Sequence, residues 1–554
     1  MKRIPLLLTV ATLLCLASCK NANKSDLLVP KNATMVVHIN GASVFSKLSW
    51  DDIKNSEFFK MAHDSAKDEY KRKLLENPEV SGVDIKNDFA YFMTQGRSGY
   101  GTFQGKIKDA AAFEKFNKEI KKDATVKKSG ALTYIQYDAN TVLAWDNKSF
   151  LLVSHDQQSF SRNAWEELDE DPDDTIQEPV KPSITPDSLL NYAVNLKKLS
   201  ADELLTTDNR FSDLLKEKGE LHIWINSEEA YASVPNNPMS MMKAGNIIKG
   251  TISASTVSFE NGKIEMKGKQ YMGNEMQELF ESHKPTPVSA DIINRIPSDN
   301  VVAAFAMNIP SEGLRAFFKV AGLDGIANMM LSKYQLNLEQ LTNAYKGEMV
   351  FALSDVSVKE EEQSVEGTDF KYKTKNPDGK FFMALAVNNR PSFEKVWNVL
   401  QQEFFKEKRD SSKWVHKLND QWFAFSNSSE SVDRFLAGGN TKQFEFTSKI
   451  SGHPFGAYID LRKLIPVTKS FLTRTPGEST TDSTWENFIM TGGEFKNGAM
   501  LSQVEINLVD KNTNSLKQLF QFISGMFNKS VVTDGNRDVV EDLPIQSDTT
   551  AAPF

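Results

Sequence analysis

The chain has 554 residues, 40% of them hydrophobic and 10% aromatic, enough apolar material for ordinary cores in more than one domain. With 65 basic against 73 acidic side chains, its net charge of −8 argues against nucleic acid as a partner and against a polybasic grip on anionic lipid. Only two cysteines occur, Cys15 and Cys19, so a mature chain starting at Cys19 excludes disulfides, Cys-ligated zinc and any further thiol nucleophile.

Met1-Lys2-Arg3 precedes an almost wholly apolar run, Ile4 to Leu16, and then Ala17-Ser18-Cys19. A basic start, a short greasy run and small residues at a cut site predict a signal peptide over 1–18. The run holds about a dozen residues, too few for a helix to cross a hydrocarbon core of roughly 30 Å. Leu16-Ala17-Ser18-Cys19 resembles the lipobox of bacterial lipoproteins. That resemblance implies cleavage before Cys19, loss of Cys15, and acyl chains on the Cys19 thiol and amine. Each buried methylene then adds about 0.8 kcal/mol of membrane affinity. Residues 19–27 read as the lipidated cysteine and a polar tether. Its seven residues, Lys20 to Asp26, reach roughly 25 Å at about 3.5 Å each, so the folded part works near its membrane. Lys20 follows the cysteine and no acidic cluster does. By analogy with lipoprotein sorting, this favours the outer membrane, facing the periplasm.

The elements that follow come in an order that repeats. "VPKNATMVVHIN" (29–40) is a proline, a turn and an apolar strand ending in Asn, and "IPSDNVVAAFAMN" (296–308) resembles it. "DFAYFM", "LTYIQYD" and "SFLLVS" are short, β-branched or aromatic, and bounded by turn residues, so they predict strands. "AAFEKFNKEI" (111–120) and "PSFEKVWNVL" (391–400) both open amphipathic helices around Phe-Glu-Lys. "NKSFLLVSHDQQSFSR" (147–162) sets without a gap on "NDQWFAFSNSSESVDR" (419–434), with Asn147, Ser154, Ser159 and Arg162 on Asn419, Ser426, Ser431 and Arg434. In that setting Phe150 meets Trp422 and Leu152 meets Ala424. "VSFENGKIEMKG" (257–268) and "GEFKNGAMLSQV" (493–504) each put Asn-Gly between strand-like runs, a strong hairpin signal. A helix containing Leu-Phe follows each, at Leu279-Phe280 and Leu519-Phe520.

The expected fold is therefore α+β, with two tandem duplicated modules, 28–285 and 286–530. Each is built of antiparallel sheets covered by helices on one face. Module one carries an acidic, proline-rich loop at about 163–187, and module two an insert, 358–379, at a hairpin tip. Residues 531–554 read as a disordered acidic tail.

No motif supplies chemistry. The seven histidines, His38, His63, His155, His222, His283, His416 and His453, include no pair at metal-ligand spacing. His38 and His222 lie in strand-like runs and read as satisfied core residues. Asp169, Asp171 and Asp173 copy the start of a calcium loop, but Asp174 stands where it needs Gly and Val180 where it needs Glu. Ser392-x-x-Lys395 matches the nucleophile motif of penicillin-binding enzymes without its companion motifs, and Ser392 reads as a helix cap. Gly96, Gly99 and Gly101 fall in neither phosphate-binding order and read as a hairpin loop. Trp145, Trp224, Trp397, Trp414 and Trp422 read as core, and the helix 515–527 as cover for its own sheet. No catalytic residue, metal or cofactor is assigned. The one site residue is Cys19, by lipidation.

Together the lipobox, "VPKNATMVVHIN", "GKIKDAAAFEKFNKEI" and the Asn-Gly hairpins resemble a family of large Bacteroidota lipoproteins whose domain is of unknown function. The resemblance covers most of the mature chain and implies envelope location without an activity. The expectation is a membrane-anchored envelope lipoprotein, a non-enzymatic binding or scaffold protein with a protein or glycan-like partner. The alternatives are a carrier or sensor of a lipidic or small ligand between the modules, and an envelope-polymer hydrolase with a dispersed site.

Overall fold

The computed structural model describes residues 27–65, 68–94, 99–155, 185–232, 245–364, 371–404, 414–439, 443–472 and 484–535. The expected signal peptide, Cys19, residues 156–184 and the chain beyond 535 lie outside them. Two expected boundaries shift. Thr185 caps a helix at Pro186–Lys198, two residues into the expected acidic loop, and the last helix, Ser515–Gly535, runs into the expected tail. No described helix is long and apolar enough to cross a membrane.

The fold is α+β, dominated by one antiparallel sheet that has eighteen strands among the described residues. The first ten are β1 (Ala33–Ile39), β2 (Phe89–Thr94), β3 (Tyr100–Lys106), β4 (Lys127–Ser129), β5 (Leu132–Asp138), β6 (Thr141–Trp145), β7 (Ser149–Ser154), β8 (Leu221–Asn226), β9 (Ile252–Glu260) and β10 (Lys263–Tyr271). Then come β11 (Val301–Asn308), β12 (Tyr345–Ser364), β13 (Lys371–Val387), β14 (Val415–Leu418), β15 (Trp422–Ser426), β16 (Phe455–Asp460), β17 (Trp485–Lys496) and β18 (Ala499–Leu508).

In the first half the strands lie in the order 4-5-6-7-3-2-1-8-9-10. The second half runs 18-17-16-11-12-13-15-14, the same plan reversed except that β4 and β5 have no counterpart among the described residues. Even an irregularity is repeated. The β1–β2 ladder bulges between Ala33 and Met35, and the β11–β12 ladder bulges at the matching place, between Val301 and Ala303.

β10 and β18, each the last strand of its half, pair with one another. Lys267 stands opposite Gln503, and each lies five residues past its hairpin glycine, Gly262 or Gly498. A residue thus faces its own counterpart, and an approximate two-fold axis passes through that pair.

Helices cover the expected face. Under Pro186–Lys198 and Asn209–Lys216, Leu189, Ala193, Phe211 and Leu214 meet Val36, Phe92, Leu151, Val153 and Trp224 of the sheet. In the second half, Val432, Phe435 and Ile450 meet Ala304, Val350, Phe382 and Ala424. The other face of the outer strands gains a layer as well. There Phe113 of the helix Ala110–Ile120 packs on Leu143, Trp145 and Phe150, and Phe393 of Arg390–Phe404 packs on Phe423. Each fully buried aromatic or aliphatic side chain contributes roughly 1.5–3 kcal/mol.

The repeat itself needs one adjustment. Phe113 stacks on Phe150 at 5.3 Å and Phe393 meets Phe423 at 4.9 Å, so Phe150 answers Phe423 and not Trp422. The same turn confirms it. Asp146 accepts from the backbone of Lys148 and Ser149, and Asn419 accepts from Gln421 and Trp422. Ser159 and Arg162 lie outside the described residues.

The last helix of each half leans on the other. Phe280 of the helix Asn274–Ser282 stacks on Phe495 at 5.9 Å. Ser515–Gly535 packs on its own strand through Phe522 and Trp485, and it also reaches module one. Lys517 meets Asp52 at 2.9 Å, and Ser515 Oγ donates to the Lys263 carbonyl at 2.9 Å.

β12 and β13 continue as a ladder beyond the sheet. Eight pairs, Ser357–Ser364 with Lys371–Asp378, extend roughly 26 Å at about 3.3 Å per residue. The expected insert at the tip is thus mostly paired strand, with 365–370 outside the described residues.

Candidate functional site

The middle of the sheet, around the approximate axis, carries a groove of about 460 Å³ built by both halves. One wall is Glu217 and Lys218, which follow the helix Asn209–Lys216, and the other includes His453, which follows Thr447–Ile450. On its floor the alternation of β9, β10, β17 and β18 brings polar side chains to one face, Thr256, Glu265, Lys267, Lys269, Gln503 and Thr491 among them.

Most of these groups are already satisfied. Glu217 accepts from Lys269 Nζ at 2.5 Å and from Thr256 Oγ1 at 2.6 Å. Glu265 and Glu505 face one another across the junction, an arrangement that destabilises a sheet if left bare. Gln503 Nε2 bridges them, donating at 2.9 and 3.0 Å, and Lys263 Nζ lies 3.3 and 3.5 Å from the same two carboxylates. Burial works to raise the Glu265 carboxyl, but hydrogen bonds from Lys267 and Lys263 outweigh it and hold it below the usual carboxylate range. The bond to Glu217 pushes the Lys269 ammonium up. Three carboxylates, Glu217, Glu265 and Glu494, balance three ammoniums, Lys218, Lys267 and Lys269. Lys267, at the axis, is 60% exposed. His453 Nδ1 lies 2.7 Å from Glu494 Oε1 at the rim.

Beside the groove, two buried histidines meet. His38 on β1 and His222 on β8 stand opposite one another, with their Nδ1 atoms 3.0 Å apart. His222 Nε2 donates to the Glu217 carbonyl at 2.9 Å, so neutral His222 accepts at Nδ1 the proton that His38 donates. Asp88 Oδ2 lies 3.4 Å from His38 Nε2. Burial holds the His222 imidazole below its usual range, and His38 adds to this. Sequence reasoning read both as core residues but not as a pair, since 184 positions separate them.

The other singled-out residues are scattered. Ser392 is not the cap of its helix. Asn389 is, accepting from the Ser392 N–H at 2.9 Å, while Lys395 donates to the Gln335 carbonyl. The reason is positional, because Asn389 precedes the first turn and Ser392 sits inside it. Trp145 and Trp224 are buried, and Trp397, Trp414 and Trp422 pack at the edges of cores. Gly99 directly precedes β3, and Gly101 lies within that strand, opposite Met93, rather than in a loop; Gly96 lies outside the described residues, as do Asp169, Asp171, Asp173, Asp174 and Val180. Among the described residues, no three His, Cys, Asp or Glu side chains form a metal cage. A second hollow of about 620 Å³, beside Arg315 and Lys319, is open and lined mainly from module two.

A family model described as Domain of unknown function (DUF4836) matches residues 26–185 and 181–435. No curated protein sequence matches the chain. Crystal forms I and IV of TP0453 align at 9% and 11% identity, over 47% of this chain and 86% and 87% of theirs. Both give a TM-score of 0.25, too low to carry an argument.

Proposed function

The chain belongs to the family described as Domain of unknown function (DUF4836), and from its lipobox-like N-terminal stretch we propose a lipid-anchored envelope lipoprotein of Bacteroidota type. It binds rather than transforms, and it holds an extended, uncharged, glycan-like chain in the groove between its halves. The anchor rests on Leu16-Ala17-Ser18-Cys19, and Lys20 directly after the cysteine supports an outer-membrane location facing the periplasm.

One observation carries the groove. Both halves contribute to a polar floor whose charges cancel, so hydrogen-bond donors and acceptors are offered without net attraction for an ion. A charged lining is a poor host for a lipid tail.

Two measurements test the reading. Cys19→Ala should remain unprocessed and leave the detergent phase on phase separation; unchanged partition overturns the anchor. Calorimetric titration of the full chain with soluble fragments of envelope polysaccharide should show saturable binding, weakened about tenfold by Lys267→Ala with Lys218→Ala. No binding by the native chain overturns the groove.

A further inference from the structure

The ribbon formed by Ser357–Ser364 and Lys371–Asp378 runs on after its neighbours stop. β11 ends opposite Ser354, and β15 ends opposite Phe382. Among the described residues no strand lies beside the outer edge of Lys371–Asp378, the form of backbone that accepts another strand. Among the described residues the matching strands of module one carry no such extension, since β2 ends at Thr94 and β3 begins opposite it at Tyr100.

The base of the ribbon shows which backbone groups face out. The Asn427 side chain donates to the Gly379 carbonyl at 2.8 Å and accepts from the Phe381 N–H at 2.9 Å. Ser426 Oγ donates to the Phe381 carbonyl at 2.6 Å. Along a strand, the N–H and C=O of one residue point to the same side, and the side alternates with period two. Lys375, Lys373 and Lys371 therefore turn their backbone groups to the same outer side as Gly379 and Phe381. Pro377, between them, has no N–H to offer. The three lysine side chains share one face of the ribbon by the same alternation, and all three residues are exposed.

We infer that this edge docks an extended segment of a partner protein with carboxylates at every second position, added as a third strand beside Lys371–Lys375. Partner residues directly opposite the three lysines project on the lysines' own face, so alternate carboxylates meet alternate ammoniums. Glu362 at 2.9 Å and Glu360 at 3.6 Å now lean on Lys371 and Lys373. Such exposed pairs contribute only about 0.2–1 kcal/mol and exchange readily. A second copy of this edge is excluded as the occupant, because two-fold pairing sets lysine against lysine. Nucleic acid fits badly, since the neighbouring strand presents Glu360, Glu361 and Glu362. A two-stranded ribbon without an apolar face is marginal in water, and a third strand adds the hydrogen bonds it lacks.

The test is fluorescence anisotropy of the full chain with a labelled peptide of alternating Glu and Val. Saturable binding is expected, weakened about tenfold or more in the variant Lys371→Glu, Lys373→Glu, Lys375→Glu. Those side chains touch no core, so an unchanged melting curve should accompany the loss. N-methylation of the peptide at its Glu residues should abolish binding, while N-methylation at its Val residues should spare it. Equal binding by both methylated peptides reduces the contact to charge attraction and overturns the strand, as does no binding by the native chain.

Discussion

His222 shows what a single buried ring does to stability. Its folded-state proton affinity is depressed, by burial first and His38 second, against the opposing pull of the Glu217 carbonyl, the Glu217 carboxylate and Asp88. The unfolded chain regains an ordinary histidine value of about 6.5. As pH falls below about 6.5 the unfolded state takes the proton first, so stability declines until the lower folded value is passed. Urea midpoints at pH 7 and pH 5 should therefore differ. His222→Leu should lose about 1–2 kcal/mol at pH 7, because the His38 Nδ1–H loses its acceptor, and should show a flatter pH dependence. An equally steep dependence in that variant sinks the assignment. The pair was invisible along the chain because a strand pattern reports which face a residue takes, not which distant strand lies beside it.

At the scale of elements, the two Asn-Gly turns are alike in sequence but not in surroundings. Gly262 has φ +63° and Gly498 φ +74°, both left-handed, where an added Cβ costs about 1 kcal/mol or more. A Cβ on Gly262 would also meet Lys511 Cα at 2.6 Å and the Asp510 carbonyl at 2.9 Å, while on Gly498 it meets only the Gln277 side chain at 3.3 Å. Gly262→Ala should thus lower the melting temperature clearly more than Gly498→Ala, and the reverse order would refute the packing at that turn. These hairpins, the two Phe-Glu-Lys helices and the proline-led first strands were legible because turn chemistry and helical periodicity are local, although the cap of the second helix is Asn389 and not Ser392. The register of β7 on β15 was not. Leu151 and Val153 are buried on one face and Phe150 on the other, so the near-continuous apolar run gave no alternation to fix it, and the alignment slipped by one residue. The groove escaped notice for a related reason, since Thr256, Lys267 and Gln503 look like ordinary solvated strand positions until the halves are joined.

The whole molecule is held as one sheet by nine pairs between β10 and β18. Leu508 donates to the Gly262 carbonyl, so by the two-residue period Met266 turns its N–H towards Val504. Met266→Pro removes a ladder bond at the junction itself and leaves the Val504 carbonyl without its donor, at a cost of about 1–3 kcal/mol. Scanning calorimetry should then resolve two melting steps where the native chain shows one, and a persistent single step would mean that the crossing helices alone couple the halves. The same junction has a historical consequence. A polypeptide with only one half would expose the β10 edge and could close it against a twin through the Lys267 position, as a symmetric homodimer. Fusion frees such a pair from accepting every mutation twice. One half could therefore carry Ala306 and Gly456 where the other carries His38 and His222, and one could extend its strands into a long ribbon where in the other β2 ends at Thr94.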